Sequence, residues 1–337
     1  HTGFFETEIW NVLYDFQKDG VKGAINKISR FNGCIIADSV GLGKTFEALA
    51  VIKYFELLNQ RVLVICPKKL SGNWTIYQAG QNHILNPFKK DRFNYSVIYH
   101  TDVGRGSGYS KANSIDLDSF NWGAYDLVVI DESHNFRGNP LESTNADGSM
   151  KMNRAKWMME KIIRSGARTK VLMLSATPVN NNLRDLRNQI SFITEGRDGA
   201  LMDSCGIRSI ENTLVAAQRH FTQWAVSKDR SKKVSDLIGK LDTSFIKLLD
   251  SYSIARSRKH IKKYYNFGTA GGFPERHQPP VSIYSEIDTD KRFPSYDRIN
   301  KQIMEYKLSI FNPSKYIKAD KKEKYIALAA SSGGFKF

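Results

Sequence analysis

Ala37-Asp38-Ser39-Val40-Gly41-Leu42-Gly43-Lys44-Thr45 joins a short apolar run, Cys34 to Ala37, to a segment in which Leu49, Ile52 and Phe55 recur at three-residue steps. Glycine tolerates the backbone angles that turn successive N–H groups toward one anion, and a helix starting there adds the positive end of its dipole. The chemistry this suits is phosphate binding. Lys44 would reach the β and γ phosphates of a nucleotide, with Gly41 and Gly43 giving the backbone close approach, and the Thr45 hydroxyl would ligate Mg²⁺. The strict phosphate-loop pattern asks for glycine where this chain has Asp38. Taken alone, the segment also fits a glycine-rich turn with an incidental Lys-Thr.

Two further segments end apolar runs in groups that could act on a phosphate. In Tyr125-Asp126-Leu127-Val128-Val129-Ile130-Asp131-Glu132-Ser133-His134, four apolar residues run directly into two acids. Ligands of α/β sheets sit at the carboxyl ends of strands, which places Asp131 to hold Mg²⁺ and Glu132 to polarise an attacking water. A strand ending in a solvated acidic turn is the plainer alternative. Leu174-Ser175-Ala176-Thr177-Pro178 also closes an apolar run, and its small hydroxyl residues suit hydrogen bonding near a γ-phosphate. It reads equally well as a simple strand-ending turn.

Positioning these segments requires a sheet. β-Branched runs at Cys34 to Ala37, Val62 to Cys66, Val97 to Tyr99, Leu127 to Ile130 and Val171 to Leu174 predict five buried parallel strands. Helical spacing lies between them, including Trp157, Met158, Lys161 and Ile162 before the last. Alternation of strand and helix predicts an α/β fold with a doubly wound, mainly parallel sheet. Gly104 to Ser114 and Gly138 to Ser149 read as long surface loops. From about Leu183 to Lys263 no strand is expected and the residues look helical, with basic clusters at Lys228 to Lys233 and Arg256 to Lys263. Gly268 to Pro274 reads as a flexible break, followed by a Lys- and Tyr-rich segment with a third basic cluster, Lys315 to Lys324.

Composition narrows the partner. Fifty Lys and Arg against 34 Asp and Glu give a net charge of +16, a surplus for which nucleic acid is the first candidate. Cys34, Cys66 and Cys205 lack metal-type spacing and fit a reducing compartment. No stretch reaches the roughly 18 apolar residues of a membrane span, and the start has no signal-peptide core, which implies a soluble, cytoplasmic protein with no membrane partner. A start without Met and the end at Phe337 suggest a piece of a longer chain.

In this order the three segments resemble the core motifs of superfamily 2 helicases, and in detail the Swi/Snf-type branch. Asp38 to Thr45 is similar to that branch's D-E-x-G-L-G-K-T, which accounts for the missing first glycine. Leu13-Tyr14-Asp15-Phe16-Gln17-Lys18-Asp19-Gly20-Val21 is similar to the family's adenine-reading Q segment, so the resemblance implies that Gln17 bonds the base edge; without it Gln17 is an ordinary surface residue. Ile65 to Trp74 resembles motif Ia, which implies that Lys68, Lys69 and Ser71 follow nucleic-acid phosphates, with Trp74 packing. Ser133 gives D-E-S-H where many members have D-E-A-H, and the resemblance implies that His134 links the acidic pair to Ser175 and Thr177. Ser175-Ala176-Thr177-Pro178-Val179-Asn180-Asn181 resembles bacterial members, implying a bacterial, archaeal or phage source. Arg256-Ser257-Arg258-Lys259 is similar to the R-R-x-K segment, with Arg256, Arg258 and Lys259 as further nucleic-acid contacts, and Phe273-Pro274-Glu275-Arg276 with Tyr296 resembles the stretch leading to a second lobe.

The resemblance implies a RecA-like phosphate-loop NTPase lobe over residues 1–195, a basic helical extension over 196–267, and a linker over 268–337 toward a second RecA-like lobe whose motifs do not follow. It implies ATP and Mg²⁺ as cofactors, Lys44, Asp131, Glu132 and His134 as catalytic residues, and double-stranded DNA as the partner of an ATP-driven translocase. A strand-separating helicase, the motor of a restriction or phage-defence system, and a nucleotide-dependent DNA-binding scaffold are the alternatives. A lobe without its partner's arginine finger is expected to hydrolyse ATP slowly.

Overall fold

The computed structural model describes residues 3–81, 83–144, 150–166, 168–179, 182–227, 233–265, 273, 294–295, 298–299 and 302. Lys228 to Ser231 and Lys232, Asn180 and Asn181, Pro274-Glu275-Arg276, Tyr296 and Lys315 to Lys324 lie outside the described residues, as does most of Gly268 to Pro274. The chain divides into two units, His1–Phe273 and Pro274–Phe337. The first contains the sheet.

All five expected strands form: β1 (Gly33–Ile36), β2 (Val62–Cys66), β3 (Ser96–Tyr99), β4 (Leu127–Asp131) and β5 (Lys170–Leu174). A sixth, β6 (Ser253–Ile254), completes a sheet of order β6-β1-β5-β4-β2-β3 in which every neighbouring pair is parallel. Alternate residues of each strand feed opposite cores. Ile35, Leu63, Ile65, Val128, Ile130, Val171 and Met173 face one, and Cys34, Ile36, Val62, Val64, Leu127, Val129, Leu172 and Leu174 face the other. Burial on both faces is why these strands read as unbroken apolar runs rather than as polar-apolar alternation.

Helices α1 (Asp15–Phe31) and α2 (Lys44–Leu57) close one face. The segment 154–163 and helices α3 (Arg184–Ile193), α4 (Ile210–Val226) and α5 (Thr243–Tyr252) close the other. The sheet is therefore doubly wound, in a RecA-like α/β arrangement. Ala48 to Ile52 of α2 are all fully buried, so this helix has neighbours on every side, as an apolar helix leaving the phosphate loop must.

The expectation of no strand between Leu183 and Lys263 is corrected by β6, which pairs Ser253 with Ile35 and Ile254 with Ile36. Two residues are too few to show a period, and their pairing is set by a strand more than 200 positions away. The two long loops carry small antiparallel hairpins, Tyr109–Ser110 with Ile115–Asp116 and Glu142–Thr144 with Met150–Met152. Among the described residues no helix is long and apolar enough to cross a membrane.

Candidate nucleotide site

Strands β1, β5 and β4 are neighbours, and Leu174 is in register with both Ile36 and Asp131. Their carboxyl ends are level, so the loops beginning at Ala37, Ser175 and Glu132 emerge side by side at one edge. This topology brings together three segments spread over more than 130 residues of the chain.

In the phosphate loop, Gly41 and Gly43 have φ of 80° and 81°. A Cβ on Gly43 would also displace the Gln17 amide nitrogen, so glycine, favoured there by angle, leaves Gln17 its place against the loop. Lys44 opens α2 and its Nζ donates to the Asp38 carbonyl at 2.8 Å, folding the ammonium over the loop. Gln17 is buried. Its Oε1 accepts from the Tyr14 N–H and its Nε2 donates to the Leu42 carbonyl, both at 3.0 Å, so it staples the start of α1 to the loop and is not a surface residue.

Arg256, expected to contact nucleic acid, is turned inward instead. Its side chain is only 8% exposed. The guanidinium reaches both Asp38 carboxylate oxygens, the Glu47 carboxylate at 2.6 and 2.8 Å, and the Phe16 carbonyl. Gly20 leaves room for it, since a Cβ there would lie 2.5 Å from Nη2. Asp38 and Glu47 are both fully buried, and buried carboxylates need a paired, hydrogen-bonding partner, which the inward-turned Arg256 supplies. Burial pushes the Glu47 carboxyl up to about 8, against the pull of Arg256. Arg258 lies at the rim, donating to the Val40 carbonyl at 3.0 Å, while Lys259 is exposed.

The acidic pair is held by several donors. Glu132 sits at φ 48°, a left-handed angle that costs a non-glycine residue energy and that the surrounding hydrogen bonds must sustain. Its N–H donates to Asp131 Oδ1 at 2.9 Å, and the Trp74 indole Nε1–H donates to Oδ2 at 3.0 Å. His100 Nε2–H donates to the Asp131 carbonyl at 2.8 Å; burial lowers its pKa to about 4, so the ring is neutral. Burial raises the Asp131 carboxyl above its ordinary value, opposed by the Trp74 N–H. His134 Nδ1 lies 3.2 Å from Glu132 Oε2 and 3.4 Å from Ser175 Oγ. Ser175 Oγ in turn accepts the Thr177 N–H at 3.2 Å, so the third segment closes on the acidic pair through His134.

Ser133 is fully buried and its hydroxyl donates to Gln189 Oε1 at 2.8 Å. Gln189 Nε2 donates to the Pro178 carbonyl at 2.5 Å and the Asp185 carbonyl at 3.1 Å. The hydroxyl is thus satisfied, and it adds a second tie between the acidic turn and the loop after β5. On the loop after β2, Lys68 and Lys69 are exposed, and Ser71 Oγ donates to the Lys68 carbonyl at 2.9 Å.

A Mg²⁺ ion suits this donor set. The described residues contain no cluster of three or more His, Cys, Asp and Glu that could hold a metal. Mg²⁺ takes one or two protein oxygens and completes its shell with phosphate oxygens and water, which Thr45 and Asp131 can meet. A cation beside Asp131 would also offset the burial that raises its carboxyl.

Reasoning from sequence missed Trp74 as a donor, His100, Gln189 and the inward turn of Arg256. His100 carried a usable signal, because it directly follows an apolar run just as Asp131 and Ser175 do. The others are set by tertiary contacts alone.

A SNF2-related domain model matches residues 16–203. The uncharacterized ATP-dependent helicase YqhH of Bacillus subtilis (strain 168) is 27% identical over 176 residues, 51% of this chain and 28% of that protein. A DNA repair and recombination protein RAD54-like of Drosophila persimilis is 24% identical over 285 residues, 75% of this chain and 32% of the relative. Among solved structures, the Sulfolobus solfataricus SWI2/SNF2 ATPase core in complex with dsDNA aligns with 78% of this chain and 47% of its own at a TM-score of 0.41 and 15% identity. The chain spans about a third or less of the length of these two curated relatives. With residues 16–203 matched, more than half of its length, the chain belongs to the SNF2-related domain family.

Proposed function

We propose that the chain is the ATP-binding lobe of a motor that translocates on double-stranded DNA. The observation that carries this reading is the Glu132–His134–Ser175 chain standing at the same sheet edge as Lys44. A binding module needs a phosphate loop; it does not need a carboxylate held by an imidazole beside it.

In this reading Lys44 exchanges the Asp38 carbonyl for the β and γ phosphates, and Gln17 uses its remaining amide valences on the adenine edge. Thr45 and Asp131 hold Mg²⁺, which when bound neutralises charge on the phosphates. Glu132 accepts a proton from the attacking water while His134 fixes its carboxylate, and Ser175 and Thr177 sense the change in that contact. Lys68, Lys69 and Ser71 engage the DNA backbone, with Lys259 a further candidate, in keeping with the charge of +16. Residues 1–195 carry the nucleotide motifs, 196–267 are a mainly helical extension that adds β6 to the same sheet, and 268–337 lead toward a second RecA-like lobe that supplies an arginine finger. Loss of such a finger costs about 10³- to 10⁵-fold in rate, so this chain alone turns over slowly.

A strand-separating helicase is the second reading, favoured by the name of the Bacillus relative. Nucleotide binding and ATP turnover, measured with and without duplex DNA for the wild type and Glu132→Gln, test the proposal. The variant should bind ATP as the wild type does and lose turnover. Unchanged turnover would refute the catalytic assignment, and release of a labelled strand would favour the helicase.

A further inference from the structure

Trp74 is completely buried, yet packing does not account for its indole nitrogen. A phenyl ring would fill much of that space without bringing a polar N–H into the core, where each such group needs a partner. The partner here is a carboxylate oxygen of the acidic pair, Asp131 Oδ2 at 3.0 Å. The other oxygen accepts the Glu132 N–H at 2.9 Å. With one donor on each oxygen the plane of the carboxylate is set, and further lone pairs stay open to a cation.

Trp74 is itself rigidly held. The Tyr95 hydroxyl donates to its carbonyl at 2.6 Å, and the two rings meet edge to face with centroids 6.3 Å apart. Its backbone N–H donates to the Ser71 carbonyl at 3.0 Å, and the Ser71 hydroxyl donates to the Lys68 carbonyl at 2.9 Å. A short hydrogen-bonded path therefore runs from the exposed Lys68-Lys69 turn to the Asp131 carboxylate, without passing through the phosphate loop.

We propose that Trp74 is a positioning residue whose indole N–H sets the Asp131 carboxylate for its cation and transmits the state of the Lys68–Ser71 turn to it. The transmission half rests on the DNA reading above; the carboxylate half does not.

The test replaces Trp74 with phenylalanine, and separately with 3-benzothienylalanine, which keeps the bicyclic shape and removes only the N–H. Binding of fluorescent N-methylanthraniloyl-ADP to the full chain is measured in EDTA and in Mg²⁺, each with and without a short DNA duplex. In EDTA both variants should match the wild type, which also reports an intact fold. In Mg²⁺ the wild type should gain affinity and both variants should gain about tenfold less, the scale of one hydrogen bond to a charged group. In an Asp131→Ala background the same replacements should change nothing. A full Mg²⁺ gain in the benzothienyl variant would overturn the proposal. Duplex should shift the Mg²⁺-dependent affinity of the wild type and leave the variants unmoved; an equal shift in both overturns the transmission half. Duplex that fails to bind the wild type overturns the DNA reading and the transmission with it, while the Mg²⁺ comparison still decides the carboxylate role.

Discussion

Arg256 grips Asp38 through both its backbone and its side chain: the backbone N–H reaches Oδ1 at 2.8 Å, and Nε lies 3.1 and 3.0 Å from the two oxygens. The residue just past β6 thus clamps the phosphate loop from 218 positions away. Removing one partner of a buried ion pair strands the other, at about 3–5 kcal/mol. Arg256→Ala should therefore lower the thermal midpoint by roughly 10 °C and weaken nucleotide binding. The dependence of DNA affinity on salt should stay as in the wild type. A flatter salt dependence at unchanged stability would return Arg256 to the DNA surface.

The same cluster sets a pH dependence. Arg256 faces two carboxylates, and burial with Asp38 nearby pushes Glu47 from its ordinary 4.5 up to about 8. A folded value above the unfolded one means that the folded state binds the extra proton. The stabilisation is complete below about 4.5 and is lost as pH rises through about 8. His100 has the opposite sign: held near 4, it contributes stability above about 6.5 that is lost as pH falls through 4. Between pH 6.5 and 8 the Glu47 effect stands apart from the His100 effect. Urea midpoints over this window should fall with pH in the wild type and be flatter in Glu47→Gln; equal slopes would remove Glu47 as the cause.

His134 Nδ1 faces Glu132 Oε2 at 3.2 Å and Ser175 Oγ at 3.4 Å, so one nitrogen serves the base and the loop after β5. His134→Ala leaves the Glu132 carboxylate free to swing. ATP turnover should fall by about 10²-fold with nucleotide affinity preserved, since orienting a base acts on the chemical step. Equal losses in affinity and turnover would make His134 a structural residue.

Much of this site was legible because each part announces itself locally. Apolar runs ending at Ala37, Ile130 and Leu174 mark strands, and the residues just after them are the ones gathered at the sheet edge. Adjacency was not legible, since the order β1-β5-β4 is a property of winding and not of any segment. Ser253 and Ile254 left no periodic trace, and the basic cluster beginning at Arg256 read as a nucleic-acid contact because charge alone does not reveal which way a side chain turns. Trp74 was expected to pack, and it does so; its N–H became significant only once Asp131 was seen across the β2–β4 boundary.

Lys68 and Lys69 remain exposed on the loop after β2, next to the strand that carries Asp131. A lysine that neutralises one phosphate releases about one counterion on binding duplex DNA. Replacing either with alanine should weaken binding similarly for unrelated sequences and reduce the slope of log affinity against log salt by roughly one. Fluorescence anisotropy across a salt series measures this. An unchanged slope in both variants places the DNA elsewhere on the lobe.

Ser133 distinguishes this chain from the alanine-bearing pattern it resembles, and its hydroxyl meets Gln189 Oε1 where both residues are fully buried. Ser133→Ala therefore leaves the Gln189 oxygen without that donor, at a cost of about 1–3 kcal/mol. Replacing both partners with apolar groups avoids that cost at the oxygen, although Gln189→Leu also gives up the hydrogen bonds to Pro178 and Asp185. The double variant should thus be more stable than the sum of the two single changes predicts, by an amount that measures the Ser133–Gln189 contact. The loop after β5 supplies an independent check, because Gln189 holds the Pro178 carbonyl: Gln189→Leu should loosen 175–179 and raise its hydrogen-exchange rate, whereas Ser133→Ala should disturb it less. Additive stabilities together with unchanged exchange would mean that the serine is a tolerated replacement for alanine and not a tie between the acidic turn and that loop.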